Sequence, residues 1–397
     1  MIELINASVE AITTVDLEFQ RIDTLKADWK ERLFAVQGHR GSGKTTLLLQ
    51  YLRINADIKT SIYISLDNFY FQNRSLYETV KDLQLQGYKL FVLDEVHKYP
   101  NWSIEIKSLY DTYKNIKIIF TGSSALEIYK SAADLSRRAM DYTLPILSLR
   151  EFIVFETGIA LSSYSLENIL SDHTSIAFAL NKKIGSPIKY FKKYLEAGCY
   201  PFYKESENGY PLKLMRTISL VLETDIAAVT NIPYNSIYKM KKLLAFIAQS
   251  VPFKPNITQL AEKIEAKRET TLLYLEYLER AGIINLLSTA GKTMGPLTKP
   301  DKIYLENTNI SFALSIEPPN LGNLRETFFL SQMSRGNDVK ASPVSDFLVN
   351  NKLTFEIGGK NKNGRQVKTV KNSYLVKDDL LSGSGNEIPL WLFGFLY

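Results

Sequence analysis

Residues Gly38-His39-Arg40-Gly41-Ser42-Gly43-Lys44-Thr45 fit the pattern G-x-x-x-x-G-K-[ST]. The apolar run Leu33-Phe34-Ala35-Val36 precedes them and the helix-like Thr46–Leu52 follows. A glycine-rich turn between a strand and a helix lets backbone N–H groups curl inward around phosphate oxygens. In this setting Lys44 would reach the β- and γ-phosphates and Thr45 would hold Mg²⁺ through its hydroxyl. Gly38, Gly41, Ser42, Gly43, Lys44, Thr45 and Thr46 are therefore the candidate contacts for a nucleoside triphosphate.

Length and composition bound what surrounds this loop. A chain of 397 residues with 45% hydrophobic content has room for several packed domains. A single cysteine, Cys199, excludes an intrachain disulfide, and the three histidines, His39, His97 and His173, are scattered without metal-ligand spacing. Neither a secretion signal nor a run of about 18 apolar residues is visible. The expected setting is reducing and cytoplasmic, with no membrane partner. The net charge of +6 is uneven: residues 1–185 carry 21 Lys/Arg against 22 Asp/Glu, whereas residues 186–397 carry 27 against 20. The surplus is compatible with a nucleic-acid-facing surface in the second half, and equally with an ordinary solvated one.

From Leu33 to Ile146, strand-like runs alternate with helix-like ones, which predicts an α/β domain with a parallel sheet covered by helices. The strands fall at Leu33–Gln37, Ile62–Leu66, Lys89–Leu93, Ile116–Thr121 and Tyr142–Leu147. Residues 151 to about 235 read as helical. Between 236 and 300 the order is helix, turn, longer helix and strand pair, the order of a winged helix-turn-helix. The remainder, 301–397, reads as a small α/β module, with Ile388–Tyr397 as a buried strand or core plug. The expected domains are a P-loop ATPase domain at 1–185, a helical lid at 186–235, the winged helix at 236–300 and the last module at 301–397.

Leu90-Phe91-Val92-Leu93-Asp94-Glu95 is four apolar residues followed by two carboxylates, the Walker B pattern. The run suits a strand buried on both faces of a parallel sheet. Asp94 would complete the Mg²⁺ shell, and Glu95 would orient and polarise the attacking water. The chain lacks an Asn-Lys-x-Asp guanine reader, so ATP is the expected nucleotide. At the end of the next strand Thr121 or Ser123 would sense the γ-phosphate. Arg137 and Arg138 precede the fifth strand, where a guanidinium would stabilise phosphate charge in a neighbouring subunit, placing the chain in a homo-oligomer.

Taken together, Gly38–Thr46, Leu93-Asp94-Glu95-Val96-His97, Phe120–Ser124, Leu144–Phe152, Gly198-Cys199-Tyr200-Pro201 and Arg325-Glu326-Thr327-Phe328 resemble prokaryotic AAA-type ATPases related to the archaeal-type ATPases. These carry a C-terminal domain of unknown function. The resemblance implies a P-loop ATPase using ATP and Mg²⁺, a winged helix, and a C-terminal fold similar to PD-(D/E)xK nucleases. On that basis Glu326, Asp346, Glu356 and Lys360 would form a carboxylate and lysine cluster around Mg²⁺. The Glu356-Ile357-Gly358-Gly359-Lys360 run departs from the usual Glu-x-Lys spacing, and its two glycines are expected to displace the lysine. In the winged-helix reading, Lys267, Arg268, Thr270 and Thr271 would meet DNA at the start of the longer helix. Three functions stay open: an ATP-hydrolysing switch acting on an unidentified target, an ATP-regulated nuclease, and an ATP-binding module with little turnover.

Overall fold

A computed structural model describes the chain except for residues 22–28, 123–134, 136, 228–232, 251–253, 292–297, 316 and 366. Ser123, the alternative to Thr121 as a phosphate sensor, lies outside the described residues. The described residues form two compact units, one within 1–146 and the other within 147–397.

The first unit is built on five parallel strands: β1 (Leu33–Gly38), β2 (Ser61–Ser65), β3 (Leu90–Asp94), β4 (Lys117–Thr121) and β5 (Met140–Leu144), in the order β2-β3-β4-β1-β5. Alternation along each strand sends side chains to both faces. Leu33, Ala35, Phe91, Leu93, Ile118 and Phe120 join one core, with α3 (Leu76–Leu85) and α4 (Trp102–Thr112) supplying Leu76, Val80, Trp102 and Ile106. Phe34, Val36, Val92 and Ile119 join the other, with Leu47, Leu48 and Leu52 of α2 (Lys44–Asn55). This two-sided burial explains why the strands read as unbroken apolar runs. An N-terminal helix, α1 (Ile2–Thr14), buries Leu4, Ser8 and Ile12 at four-residue spacing, and the Ser8 hydroxyl accepts the Tyr63 N–H of β2 at 2.9 Å. Because β4 sits between β1 and β3, the ends of all three strands bring Gly38, Asp94 and Thr121 to one edge of the sheet.

The first unit ends at Ile146, earlier than the boundary at 185 expected from the sequence. The reason lies in α5 (Leu149–Thr157). Ser148 and Glu151 form a capping box at its start, and Phe152 packs on Tyr194 and Tyr203, with ring centroids 5.6 and 5.4 Å apart. Tyr194 belongs to α7 (Pro187–Glu196), which follows the long α6 (Leu166–Ile184), and α8 (Tyr210–Leu220) completes this helical layer. A Cβ at Gly198 would stand 2.6 Å from the Phe152 ring, so this position tolerates only glycine. One buried side chain ties the layer together. Asn309, on α12 (Thr308–Leu314), accepts from the Gly198 and Cys199 N–H groups, each at 2.9 Å, and from the Tyr210 hydroxyl at 2.6 Å. It donates to the Tyr194 and Leu195 carbonyls at 2.9 and 3.0 Å.

The rest of the second unit contains α9 (Tyr234–Ser250), α10 (Ile257–Lys263), α11 (Arg268–Arg280) and the antiparallel pair β6 (Ile284–Leu287) and β7 (Lys302–Leu305). Its second sheet runs β12-β11-β10-β9-β8, from β8 (Val339–Ala341), β9 (Phe347–Val349), β10 (Leu353–Gly358), β11 (Ser373–Lys377) and β12 (Glu387–Pro389). The pairs β10/β11 and β11/β12 are parallel, whereas β8/β9 and β9/β10 are antiparallel. Helix α13 (Leu321–Met333) covers it, with Phe329 against Phe347, Phe355 and Phe393. The final apolar run folds as β12 and a buried 3₁₀ turn, Leu390–Phe395.

Candidate functional site

Between β1 and α2 the glycine loop turns through left-handed conformations at Gly41 (φ 82°) and Gly43 (φ 91°), which side chains with a Cβ rarely adopt. A Cβ on Gly38 would run into the Leu144 carbonyl oxygen. Gly43 caps α2 with no side-chain hydrogen bond. The first N–H groups of an α-helix have no partner within it, so this end presents positive partial charge and donors together. The buried Lys44 ammonium donates to the Gly38 and His39 carbonyls at 2.9 and 3.0 Å, folded back along the loop. Ser42 Oγ is fully buried under the loop and has no hydrogen-bond partner. An orphaned hydroxyl beneath uncapped amides fits a bound phosphate group.

Asp94, at the end of β3, is 2% exposed, which would be costly for a carboxylate without hydrogen bonds. It has four. Oδ2 accepts the Thr45 hydroxyl at 2.6 Å and the Tyr63 hydroxyl at 2.8 Å. Oδ1 accepts the Glu95 N–H at 3.1 Å and the Thr121 hydroxyl. The carboxylate thus lies against the hydroxyl that the P-loop pattern assigns to Mg²⁺, and both are oxygen donors of the kind that cation takes. Burial, and then the charge of Asp94, push the Tyr63 phenol well above its ordinary range and keep it a donor. Tyr63 was not visible in the sequence as a site residue. Its register opposite Val92 puts it beside Asp94, and such pairing is set by the sheet and not by a local motif.

Glu95 occupies the left-handed region (φ 54°, ψ 40°), costing on the order of 1 kcal/mol for a residue with a Cβ. Its N–H is pinned by Asp94 Oδ1 and by Thr121 Oγ1, each at 3.1 Å. The Glu95 carboxylate lies 3.5 Å from Nε2 of the buried His97. Arg138 makes a two-pronged contact with Asp111 of its own chain, both distances 3.1 Å, and Arg137 is exposed.

In the second unit, the four residues of the nuclease-like cluster are not brought together. Glu326 and Asp346 approach a common cation, Lys302 Nζ, at 3.6 and 3.7 Å, and Tyr304 donates to Glu326 at 2.8 Å. Burial and then the Asp346 charge push the Glu326 carboxyl up, with Lys302 opposing them. Glu356 instead pairs with Lys362 at 3.1 Å, and Lys360 is exposed. Strand alternation is the cause: Phe355 faces α13 and its aromatic neighbours, so Glu356 faces the opposite way. Among the described residues no group of three His, Cys, Asp or Glu side chains could hold a metal ion. At α11, Lys267 and Arg268 are exposed and Thr270 is half-buried. Thr271 is buried and its hydroxyl donates to the Lys267 carbonyl at 3.0 Å, so it does not offer a DNA contact.

A glycine loop entering an uncapped helix, on a parallel sheet whose next-but-one strand ends in a carboxylate bonded to that helix, defines a P-loop nucleotide-binding domain. Residues 30–153 match the family model of the AAA domain, and residues 188–320 match the domain of unknown function DUF8612. An uncharacterized protein of Methanocaldococcus jannaschii is 27% identical over 417 residues, covering 96% of this chain and 88% of that one. Among solved structures, the Hsp104–ADP complex of S. cerevisiae shares 12% identity at a TM-score of 0.31, over 68% of this chain and 40% of that chain. PCH-2 of C. elegans shares 12% at 0.23, over 70% and 66%. The chain thus spans less than half of the Hsp104 chain. No helix among the described residues is long and apolar enough to cross a membrane.

Replacing Tyr63 by Phe removes one charge-assisted hydrogen bond from Asp94 without changing the ring. Such a bond is worth about 1.5 kcal/mol, so in the Mg²⁺-dependent ATPase proposed below the Mg²⁺ concentration for half-maximal activity is expected to rise roughly tenfold. A Mg²⁺ titration that superimposes on the parent's would rule this role out.

Proposed function

We propose that the chain is a Mg²⁺-dependent ATPase that works as a nucleotide-driven switch. The observation that carries this reading is the Asp94 carboxylate joining Thr45 of the P-loop, Thr121 of β4 and the Glu95 backbone in one hydrogen-bonded group. The start of α2 and the Lys44 ammonium bind the phosphates, Lys44 exchanging its loop carbonyls for phosphate oxygens. Thr45 and Asp94 would hold Mg²⁺, which would supply neutralising charge for the phosphates. Glu95 takes the proton of the attacking water, its backbone fixed by the two bonds to its N–H. Arg137, exposed and close in sequence to β5, is the better of the two arginines for reaching a neighbouring copy, since Arg138 is engaged by Asp111.

The target of the switch is proposed to lie in the second unit, where α10, α11 and the β6/β7 pair have the element order of a winged helix. The carboxylates do not favour a nuclease, because Lys302 stands between Glu326 and Asp346 and Glu356 pairs with Lys362 instead. Phosphate release from ATP tests the proposal. It is expected in the parent with Mg²⁺, and to fall at least about a hundredfold in Lys44→Ala. A parent that binds ATP and releases no phosphate above background would be a binding module, and one that binds no ATP would end this reading.

A further inference from the structure

Parallel strands need a crossover of a dozen or more residues, usually a helix. Between β10 and β11 the described residues of the crossover, 359–365 and 367–372, form a string of turns and no helix. It is also the most one-sidedly charged stretch of the chain. From Ile357 to Val376 there are five Lys/Arg, at positions 360, 362, 365, 368 and 371, and no Asp or Glu.

The loop is anchored on its inner side. The Lys362 ammonium reaches the buried Glu356 at 3.1 Å, Val367 is 2% exposed, and its carbonyl accepts the Ser373 hydroxyl at 2.8 Å. Backbone bonds from Lys362 to Gly359, from Val367 to Gly364 and from Val370 to Val367 hold the turns. With Lys362 spent on Glu356, the other four cations, Lys360, Arg365, Lys368 and Lys371, are all exposed. Among the described residues none of the four side chains has an ion-pair or hydrogen-bond partner. The acids that follow β11 do not neutralise them: Asp378 is bound by Arg325 at 2.8 Å and Asp379 by Lys192 at 3.0 Å.

We propose that this loop is a binding surface for the phosphate backbone of duplex DNA. Four unneutralised cations on an anchored loop, interleaved with Asn361, Asn363, Thr369 and Asn372, offer charge and hydrogen-bond donors to phosphate oxygens. Single strands are bound on aromatic platforms, and the loop contains no aromatic residue. A membrane surface is met with exposed apolar side chains as well as charge, and Val367, the loop's fixed apolar residue, points inward. The surface is separate from Lys267 and Arg268 of α11 and owes nothing to nucleotide chemistry. In this reading Glu356 is the internal counter-ion that sets the loop's position.

The test is fluorescence anisotropy of a labelled DNA duplex of about 20 base pairs, with the full chain and no nucleotide, across a salt series. Four phosphate contacts give a slope of log K against log salt of about −3.6, and the triple variant Arg365→Ala/Lys368→Ala/Lys371→Ala is expected to lose about 2.7 of the slope's magnitude. Lys368→Arg/Lys371→Arg, which keeps the charge, is expected to bind as the parent does. Lys267→Ala/Arg268→Ala is expected to keep the loop's share of the slope. Identical slopes and affinities for the parent and the triple variant, with both folded by melting temperature, would overturn the proposal. So would tighter binding of the parent to phosphatidylserine vesicles than to the duplex.

Discussion

Glu95→Gln is expected to bind ATP with Mg²⁺ as tightly as the parent and to release phosphate about a hundred to ten thousand times more slowly, the usual worth of a general base. The substitution is close to isosteric, and what fixes this residue is its backbone. Its N–H is held by Asp94 and Thr121 whatever the side chain is, so the left-handed turn survives. The amide can still face His97, but it cannot take a proton from water. Asp94→Asn should behave differently. Asp94 accepts from three hydroxyls and one N–H; an amide NH₂ in place of Oδ1 would face the Glu95 N–H donor against donor, and in place of Oδ2 it would force the Thr45 and Tyr63 hydroxyls to turn and accept. Mg²⁺-dependent binding itself should then weaken. Single-turnover phosphate release and nucleotide binding, measured on the same preparations, separate the two outcomes. Glu95→Gln turnover within tenfold of the parent would mean that another group activates the water.

What the sequence made legible is what contiguous residues encode. The glycine loop and the Leu90–Glu95 run each carry their chemistry within eight residues. The strands fall within a few residues of their expected places, because a sheet covered on both sides demands apolar runs that end at turns. The Asp94 cluster was only half visible: Thr45 and Thr121 follow from motifs, whereas Tyr63 arrives through β2/β3 register. The nuclease-like set failed on the same physics. Acids gathered by sequence order share a site only if strand alternation turns them to one face, and Phe355 claims that face ahead of Glu356. Lys302, far from the expected Lys360 in sequence, lies between Glu326 and Asp346 by way of β7, and no local spacing could reveal it. The boundary at Ile146 was hidden in a similar way. The Ser148–Glu151 capping box starts a helix without stating which core receives Phe152.

The largest stability effect should come from Asn309, a residue outside every motif. Leucine has the same branched skeleton but no polar atoms, so it would strand the Gly198 and Cys199 N–H groups, the Tyr210 hydroxyl and the Tyr194 and Leu195 carbonyls. Each buried polar group left without a partner costs about 1–3 kcal/mol, so Asn309→Leu should lose about 5 kcal/mol or more. That approaches the whole stability of an ordinary domain, roughly 5–15 kcal/mol. Asn309→Asp keeps the three acceptor bonds but sets a buried carboxylate oxygen against the Tyr194 and Leu195 carbonyls, so it too should be strongly destabilised. Cys199 supplies the readout. It is the only cysteine of the chain, it is buried in the same network, and burial pushes its thiol up to about 12. The thiolate is the reactive form, so a thiol reagent at neutral pH labels the second unit only when this region opens. Labelling of Asn309→Leu is expected to be faster than the parent's by between about three and four orders of magnitude, as about 5 kcal/mol of lost protection requires. A variant that labels within tenfold of the parent, and whose denaturation midpoint hardly moves, would show that water satisfies those five groups and that Asn309 does not hold the layer.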